Sequence, residues 1–233
     1  MNITHNVELI KNEISAAAAE SGRGPEEITL VAATKMNDAA AVREAIAAGV
    51  PVCGENRVQE MLEKNSQNAY AGSRLHFIGH LQKNKVRQVV GVASLIQSVD
   101  SLELLELIGK TAASRKITQD ILLEINIGNE ASKSGFSPEE IPSALEFASS
   151  VSGITVRGLM AIPPACKNPE QSRPFFDAMR QLFIDNKGKK YDNVRMDFLS
   201  MGMSSDFKTA IACGSNMVRI GTGIFGPRNY QLK

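Results

Sequence analysis

A single (β/α)8 barrel with one additional helix at its N-terminus is the fold this sequence predicts, on three observations. From Ile28 onward, eight short apolar or β-branched runs alternate with segments of helical periodicity. No linker rich in Pro, Gly or Ser divides the chain. Its 233 residues, 43% hydrophobic and 22% charged, suit one α/β barrel with a sizeable core, so one domain over 1–233 is expected. A doubly wound open sheet would need fewer strands and a switch point, and no GxGxxG follows the first strand.

Taken in order, the opening segment carries Val7, Ile10 and Ile14 at helical spacing and stops at Ser21-Gly22-Arg23-Gly24-Pro25, which predicts a helix outside the repeat. Strands are expected at 28–34, 51–54, 75–78, 94–99, 120–127, 155–162, 197–200 and 218–220. Helices are expected at 39–48, 57–65, 83–90, 102–113, 138–150, 169–186 and 206–213. Ser137-Pro138-Glu139-Glu140 is a start signal, with a capping serine and a proline in the first turn.

A formal charge of +1 gives no generalised attraction to nucleic acid or to an anionic membrane, so any bound anion needs a local site. Cys53, Cys166 and Cys213 lack CxxC spacing and read as buried free thiols of a reducing compartment. The polar first residues do not read as a signal peptide, and no apolar run approaches membrane-spanning length. A cytoplasmic protein is expected.

Barrel sites are built at the carboxyl ends of the strands, which directs attention to Lys35, Glu55-Asn56-Arg57, His80 and Gln82, the 126–133 loop, Met160, Met201 to Asp206, and Arg219 to Gly223. Lys35 closes the run Ile28 to Thr34. An ammonium at a buried strand end either snorkels to the rim or is paired or used in chemistry such as an imine. After the seventh strand, Ser200-Met201-Gly202-Met203-Ser204-Ser205-Asp206 passes through a Gly and Ser turn into a helix, where a serine either caps the helix or helps cradle an anion. After the eighth, Arg219-Ile220-Gly221-Thr222-Gly223 places two glycines around a threonine, as close backbone approach to a ligand requires. Strands seven and eight are where barrels frequently hold phosphate, and they meet strand one when the barrel closes. A lysine beside a phosphate cradle suggests a phosphorylated aldehyde held as a lysine imine, and pyridoxal 5'-phosphate is the common molecule with both groups.

Val31-Ala32-Ala33-Thr34-Lys35, Gly54-Glu55-Asn56-Arg57-Val58-Gln59-Glu60, His76-Phe77-Ile78-Gly79-His80-Leu81-Gln82-Lys83-Asn84-Lys85, the 200–206 loop and Arg219-Ile220-Gly221-Thr222 together closely resemble the pyridoxal phosphate homeostasis protein family over nearly the whole chain. The resemblance implies a barrel of the alanine racemase N-terminal domain type that binds pyridoxal 5'-phosphate covalently and is not known to turn over a substrate. It implies that Lys35 forms the imine, that Arg219 faces the pyridine nitrogen, and that Gly221, Thr222 and the serine loop hold phosphate. The sequence departs from many relatives at Asn37-Asp38 and at Asn129-Glu130-Ala131-Ser132. The candidate cofactor-binding residues are therefore Lys35, Asn56, Met201, Ser204, Arg219, Gly221 and Thr222.

An arginine at a ring nitrogen disfavours its protonation and so weakens the electron sink, which suits a carrier or a racemase better than a decarboxylase. His76 and His80 lack a third ligand for a metal site, and Lys83, Lys85 and Arg87 read as solvated surface. A racemase also needs a second base. Tyr70, Tyr191 and Tyr230 fall in a helix end, a loop and the tail, and the sequence ends at Lys233 without a β domain to supply one. The expectation is a monomeric protein with no catalytic residues, which stores the cofactor for vitamin B6 homeostasis and hands it to apoenzymes. A small racemase or decarboxylase dependent on the same cofactor is the alternative.

Overall fold

A computed structural model describes residues 2–166, 168–188 and 191–227. Helix α1 (Ile3–Glu20) begins where the Asn2 side chain accepts from the His5 N-H. It ends at Gly22, whose φ of +69° lets the amides of Gly22 and Arg23 bond back to the carbonyls of Ala19 and Ala18. The repeat follows: β1 (Thr29–Ala33), α2 (Ala39–Ala47), β2 (Val52–Glu55), α3 (Val58–Ser66), β3 (Arg74–Phe77), α4 (Val86–Val89), β4 (Leu95–Val99), α5 (Leu102–Ser114), β5 (Gln119–Ile125), α6 (Ile141–Ser149), β6 (Ile154–Ala161), α7 (Arg173–Lys187), β7 (Val194–Met203), α8 (Phe207–Ala212), β8 (Met217–Ile220) and α9 (Thr222–Phe225).

The eight strands pair in chain order, all parallel, and β8 closes on β1 with Thr29 opposite Met217 and Ala32 opposite Ile220. This is the expected barrel. Its interior is filled by Val31, Val52, Leu95, Leu122, Met160 and Met217, while a larger apolar layer seals the strands against the helices. The stripe Val7, Ile10 and Ile14 puts α1 into that outer layer. There it packs on α8, α9 and α2, beside the β8–β1 seam where the site is built.

The differences from the sequence reading have local causes. Strand β7 begins at Val194, three residues early, because its first half alternates buried Val194 and Met196 with exposed Arg195 and Asp197 and so has no continuous apolar run. Arg157 of β6 staples that half by bonding Asp197 at 2.6 Å and Asp120 at 2.5 Å. The helices expected from Lys83, Pro138 and Pro169 open instead with 3₁₀ turns, Lys83–Lys85, Pro138–Glu140 and Pro169–Ser172. Helix α9 was not expected, since four residues are too few to show a period. Cys53 and Cys213 are buried as expected, but Cys166 is half-exposed on a loop. Burial pushes the first two thiols up, to about 11 and about 12, where they stay protonated.

Candidate functional site

Lys35 lies two residues beyond β1, and its neighbours on both sides are anchored. The Thr34 N-H donates to the Gly54 carbonyl at 2.9 Å and its hydroxyl donates to Glu55 Oε1 at 2.6 Å. Met36 takes a left-handed φ of +61°, a strained position for a residue with a side chain, and its N-H donates to Glu60 Oε2 at 2.8 Å. The backbone turns away at that point, and Asp38 then caps α2 by accepting from the Ala41 N-H. The Lys35 side chain is left on the wall of a cavity of about 370 Å³ at the carboxyl end of the barrel.

Asn56 follows β2 on the same wall. It is pinned by Gly79, where an added Cβ would fall 2.2 Å from the Asn56 carbonyl oxygen, so only glycine permits this approach of β3's end to β2's. The Asn56 Oδ1 is buried and has no hydrogen-bond donor among the described residues.

Across the cavity stand the two loops after β7 and β8. Ser204 does not cap α8; the residue before that helix is Asp206, whose Oδ1 accepts from the Met203 N-H at 2.7 Å and closes the turn. The Ser204 hydroxyl is therefore directed at β8's loop, where it accepts from the amides of Gly221 at 3.2 Å and Gly223 at 3.3 Å. Two backbone donors held at its oxygen leave the hydroxyl its proton to donate, so this corner of the cavity is a small cradle for an oxygen that carries negative charge.

Arg219 projects from β8 into the barrel and forms part of the cavity wall while only 4% exposed. Its guanidinium donates to Ser200 Oγ at 2.6 Å and to the Ala161 carbonyl at 2.9 Å. Burial brings its pKa down to about 10, with Glu124 and Asp206 opposing that fall, so it remains a cation at neutral pH. The chain of bonds continues inward: Ser200 donates to Gln97 Oε1 at 2.7 Å, and Gln97 Nε2 stands 2.9 Å from His76 Nδ1. Because the Gln97 amide nitrogen can only donate, His76 accepts at Nδ1 and carries its proton on Nε2. Burial, aided by Arg74, pushes the His76 pKa down to about 3, which keeps it neutral. His76 is thus a structural link in the barrel interior, and no group of three or more potential metal ligands occurs among the described residues.

Of the seven residues singled out from the sequence, Lys35, Asn56, Ser204, Arg219, Gly221 and Thr222 line this one cavity. Met201 does not. Strand β7 directs Ser200 inward to Arg219, so by alternation the Met201 side chain points outward into the layer beneath the helices. Ala33, Ile78, Ile162, Met203 and Ser205 complete the lining. Met203 and Ser205 belong to the 201–206 loop already marked in the sequence, whereas Ala33, Ile78 and Ile162 were not among the candidates and had only their places at or just beyond strand ends as a signal. Tyr70 is buried beside Glu55 and Tyr191 packs on the outer layer, so neither lines the cavity. Tyr230 lies outside the described residues. A larger groove, about 700 Å³, runs between α1, α7 and α8 next to residues that precede β1 and β8, away from the carboxyl strand ends.

A family model described as "Alanine racemase, N-terminal domain" matches residues 2–229. A protein of Aquifex aeolicus named pyridoxal phosphate homeostasis protein is 40% identical over 99% of this chain and 100% of its own length. One of the same name from Escherichia coli is 39% identical over 100% and 99%. Among solved structures, PipY of Synechococcus elongatus with PLP bound superimposes with a TM-score of 0.79 at 32% identity, over 91% of this chain and 100% of that one. An alanine racemase of Clostridium difficile shares the fold at 16% identity, with a TM-score of 0.70 over 99% of this chain and 58% of its own.

Proposed function

Since the chain belongs to the pyridoxal phosphate homeostasis protein family, within the alanine racemase N-terminal domain group, we propose that it binds pyridoxal 5'-phosphate at Lys35, keeps it in store and passes it on to apoenzymes, without turning over a substrate of its own. The observation that carries this reading is the sharing of one cavity by the Lys35 amine, the Ser204–Gly221–Gly223 cradle and the Arg219 guanidinium.

The residues fit the group. The converging amides of Gly221 and Gly223 with the Ser204 hydroxyl suit a phosphate, and the orphaned Asn56 Oδ1 supplies an acceptor for a donor on the ligand. When bound, the cofactor supplies an aldehyde that condenses with a primary amine. Lys35 contributes that amine from a backbone held on both sides. Arg219 sets a permanent positive charge on the cavity wall, anchored by Ser200 and the Ala161 carbonyl so that it cannot swing away. Beside a ring nitrogen this charge disfavours protonation and so withholds the electron sink that carbanion chemistry needs. Holding without turnover is further supported by the lining itself, which places no tyrosine or histidine opposite Lys35 among the described residues.

The test is amino-acid α-proton exchange in deuterated water, followed by NMR with a broad amino-acid mixture and the protein loaded with cofactor. The expected result is no exchange above that of free pyridoxal 5'-phosphate. Exchange at about 1 per second, within the ordinary enzymatic range, would replace this reading with a racemase or a related enzyme.

A further inference from the structure

Beside the cofactor cavity lies a second chamber of about 260 Å³, and Asn56, Ile78 and Ile162 belong to the walls of both. We propose that this chamber is the docking subsite for a primary ammonium group, with the Glu124 carboxylate accepting its proton and Asn56 Oδ1 accepting a hydrogen bond from its N-H. The proposal rests on the reading that an aldehyde cofactor is held at Lys35, and it names the class of ligand that would take the cofactor away.

The placement follows from topology. Strand β5 lies four places from β1 in either direction around the ring, so Glu124 rises from the side of the mouth opposite Lys35. It points inward, since Leu122, two residues earlier, and Met160, its partner in register, both fill the barrel interior. The chamber is built before any ligand arrives. Asn126 ties down the loop over it, donating to the carbonyls of Glu130 and Lys133 and accepting from the Glu130 N-H at 3.1 Å. Lys133 is committed to Glu130 and to the carbonyls of Ile162 and Pro163, and so is not the partner of Glu124.

The charges facing Glu124 come from every side. Burial and Asp100, after β4, raise its pKa; Arg219 on β8, His80 after β3 and Lys133 after β5 oppose them, and the result is about 7. His80 is itself engaged with Asp100, with Nδ1 3.0 Å from Oδ2. A carboxyl poised there takes a proton from an ammonium and returns it at neutral pH. The product is a neutral amine one wall away from Lys35, the form that competes with Lys35 for an aldehyde. The wall between the two cavities carries the Asn56 Oδ1, a buried acceptor with no donor among the described residues, which is where an N-H crossing from one to the other would bond.

A free amino acid and the lysine side chain of an acceptor protein present the same ammonium, so two probes separate the sources: glycine, and Nα-acetyl-lysine amide. In the cofactor-free protein labelled with ¹³C at glutamate carboxyls, saturating probe is expected to shift the Glu124 resonance and lower its titration midpoint, as an adjacent cation does. The probe that acts identifies the source; if neither moves the resonance, the subsite does not exist. In the loaded protein, Glu124→Gln is expected to leave the borohydride-trapped fraction unchanged, slow amine-driven loss of cofactor by about 10²-fold and remove the pH dependence of that loss near 7. Loss at the wild-type rate with the wild-type pH profile would overturn the proposal. Should the wild type trap no cofactor at all, the storage reading fails, and the experiment on the cofactor-free protein still decides the chamber.

Discussion

The Lys64 ammonium donates to the carbonyl oxygen of Thr34 at 2.8 Å, which ties the residue before Lys35 to helix α3 through a buried cation. The same nitrogen stands 2.6 Å from Glu55 Oε1, which also accepts from the Thr34 and Tyr70 hydroxyls. With Glu60 holding the Met36 N-H, α3 grips the chain on both sides of Lys35. The geometry of the proposed attachment point is thus set by side chains outside the barrel and not by the cavity that uses it.

Removing the cation should expose what that grip is worth. Lys64→Met leaves the Glu55 carboxylate buried without a counter-charge, a change that costs about 3–5 kcal/mol. Adding Glu55→Gln removes the stranded charge and is expected to recover much of the loss. Urea unfolding of the two variants measures both effects, and a loss below about 1 kcal/mol for Lys64→Met would show that the pair does not hold the strand end.

Two buried groups make opposite contributions to the pH dependence of stability. His76, lowered to about 3 from 6.5, is neutral when folded and charged when unfolded over that interval, so it lowers stability as the pH falls. Glu124, raised to about 7 from 4.5, is protonated when folded and ionised when unfolded between those values, so it lowers stability as the pH rises. Between about 4.5 and 6.5 the two slopes, each about 1.4 kcal/mol per pH unit, cancel. Denaturation of Glu124→Gln across this window should therefore reveal stability rising with pH, and His76→Gln stability falling with pH. Equal slopes in the two variants would contradict the assignment.

The cradle is tested by comparing ligands. Ser204→Ala removes one of the groups converging with the Gly221 and Gly223 amides, and is expected to weaken pyridoxal 5'-phosphate binding about tenfold, equivalent to roughly 1.4 kcal/mol. Pyridoxal, which lacks the phosphate, should bind the variant and the wild type alike. Equal weakening of both ligands would mean that Ser204 shapes the loop and does not contact phosphate.

Much of this was legible because parallel strands buried on both faces read as unbroken apolar runs, and their ends point to the site. The same property hid Met201. A run buried on both sides carries no alternation to fix its phase, so Ser200 and Met201 could not be told apart as inward and outward until Arg219 was seen bonded to Ser200. Lys64 was equally silent, and Glu55 was marked only as a strand end: one lies on a helix and the other on the strand beneath it, and only packing joins them. Glu124 read as one more residue of strand five. Its position across the mouth from Lys35 comes from closure of the ring, which no local pattern encodes.

Attachment at Lys35 is the claim on which the storage reading depends. Loading the protein with pyridoxal 5'-phosphate, reducing with borohydride and mapping the modified peptide by mass spectrometry tests it directly. The expected adduct is on Lys35 alone, and Lys35→Ala should lose it while its circular dichroism and unfolding midpoint stay near those of the wild type, since this half-buried side chain lies outside the apolar core. An adduct of the same yield on another lysine, in the wild type or in the variant, would contradict the account.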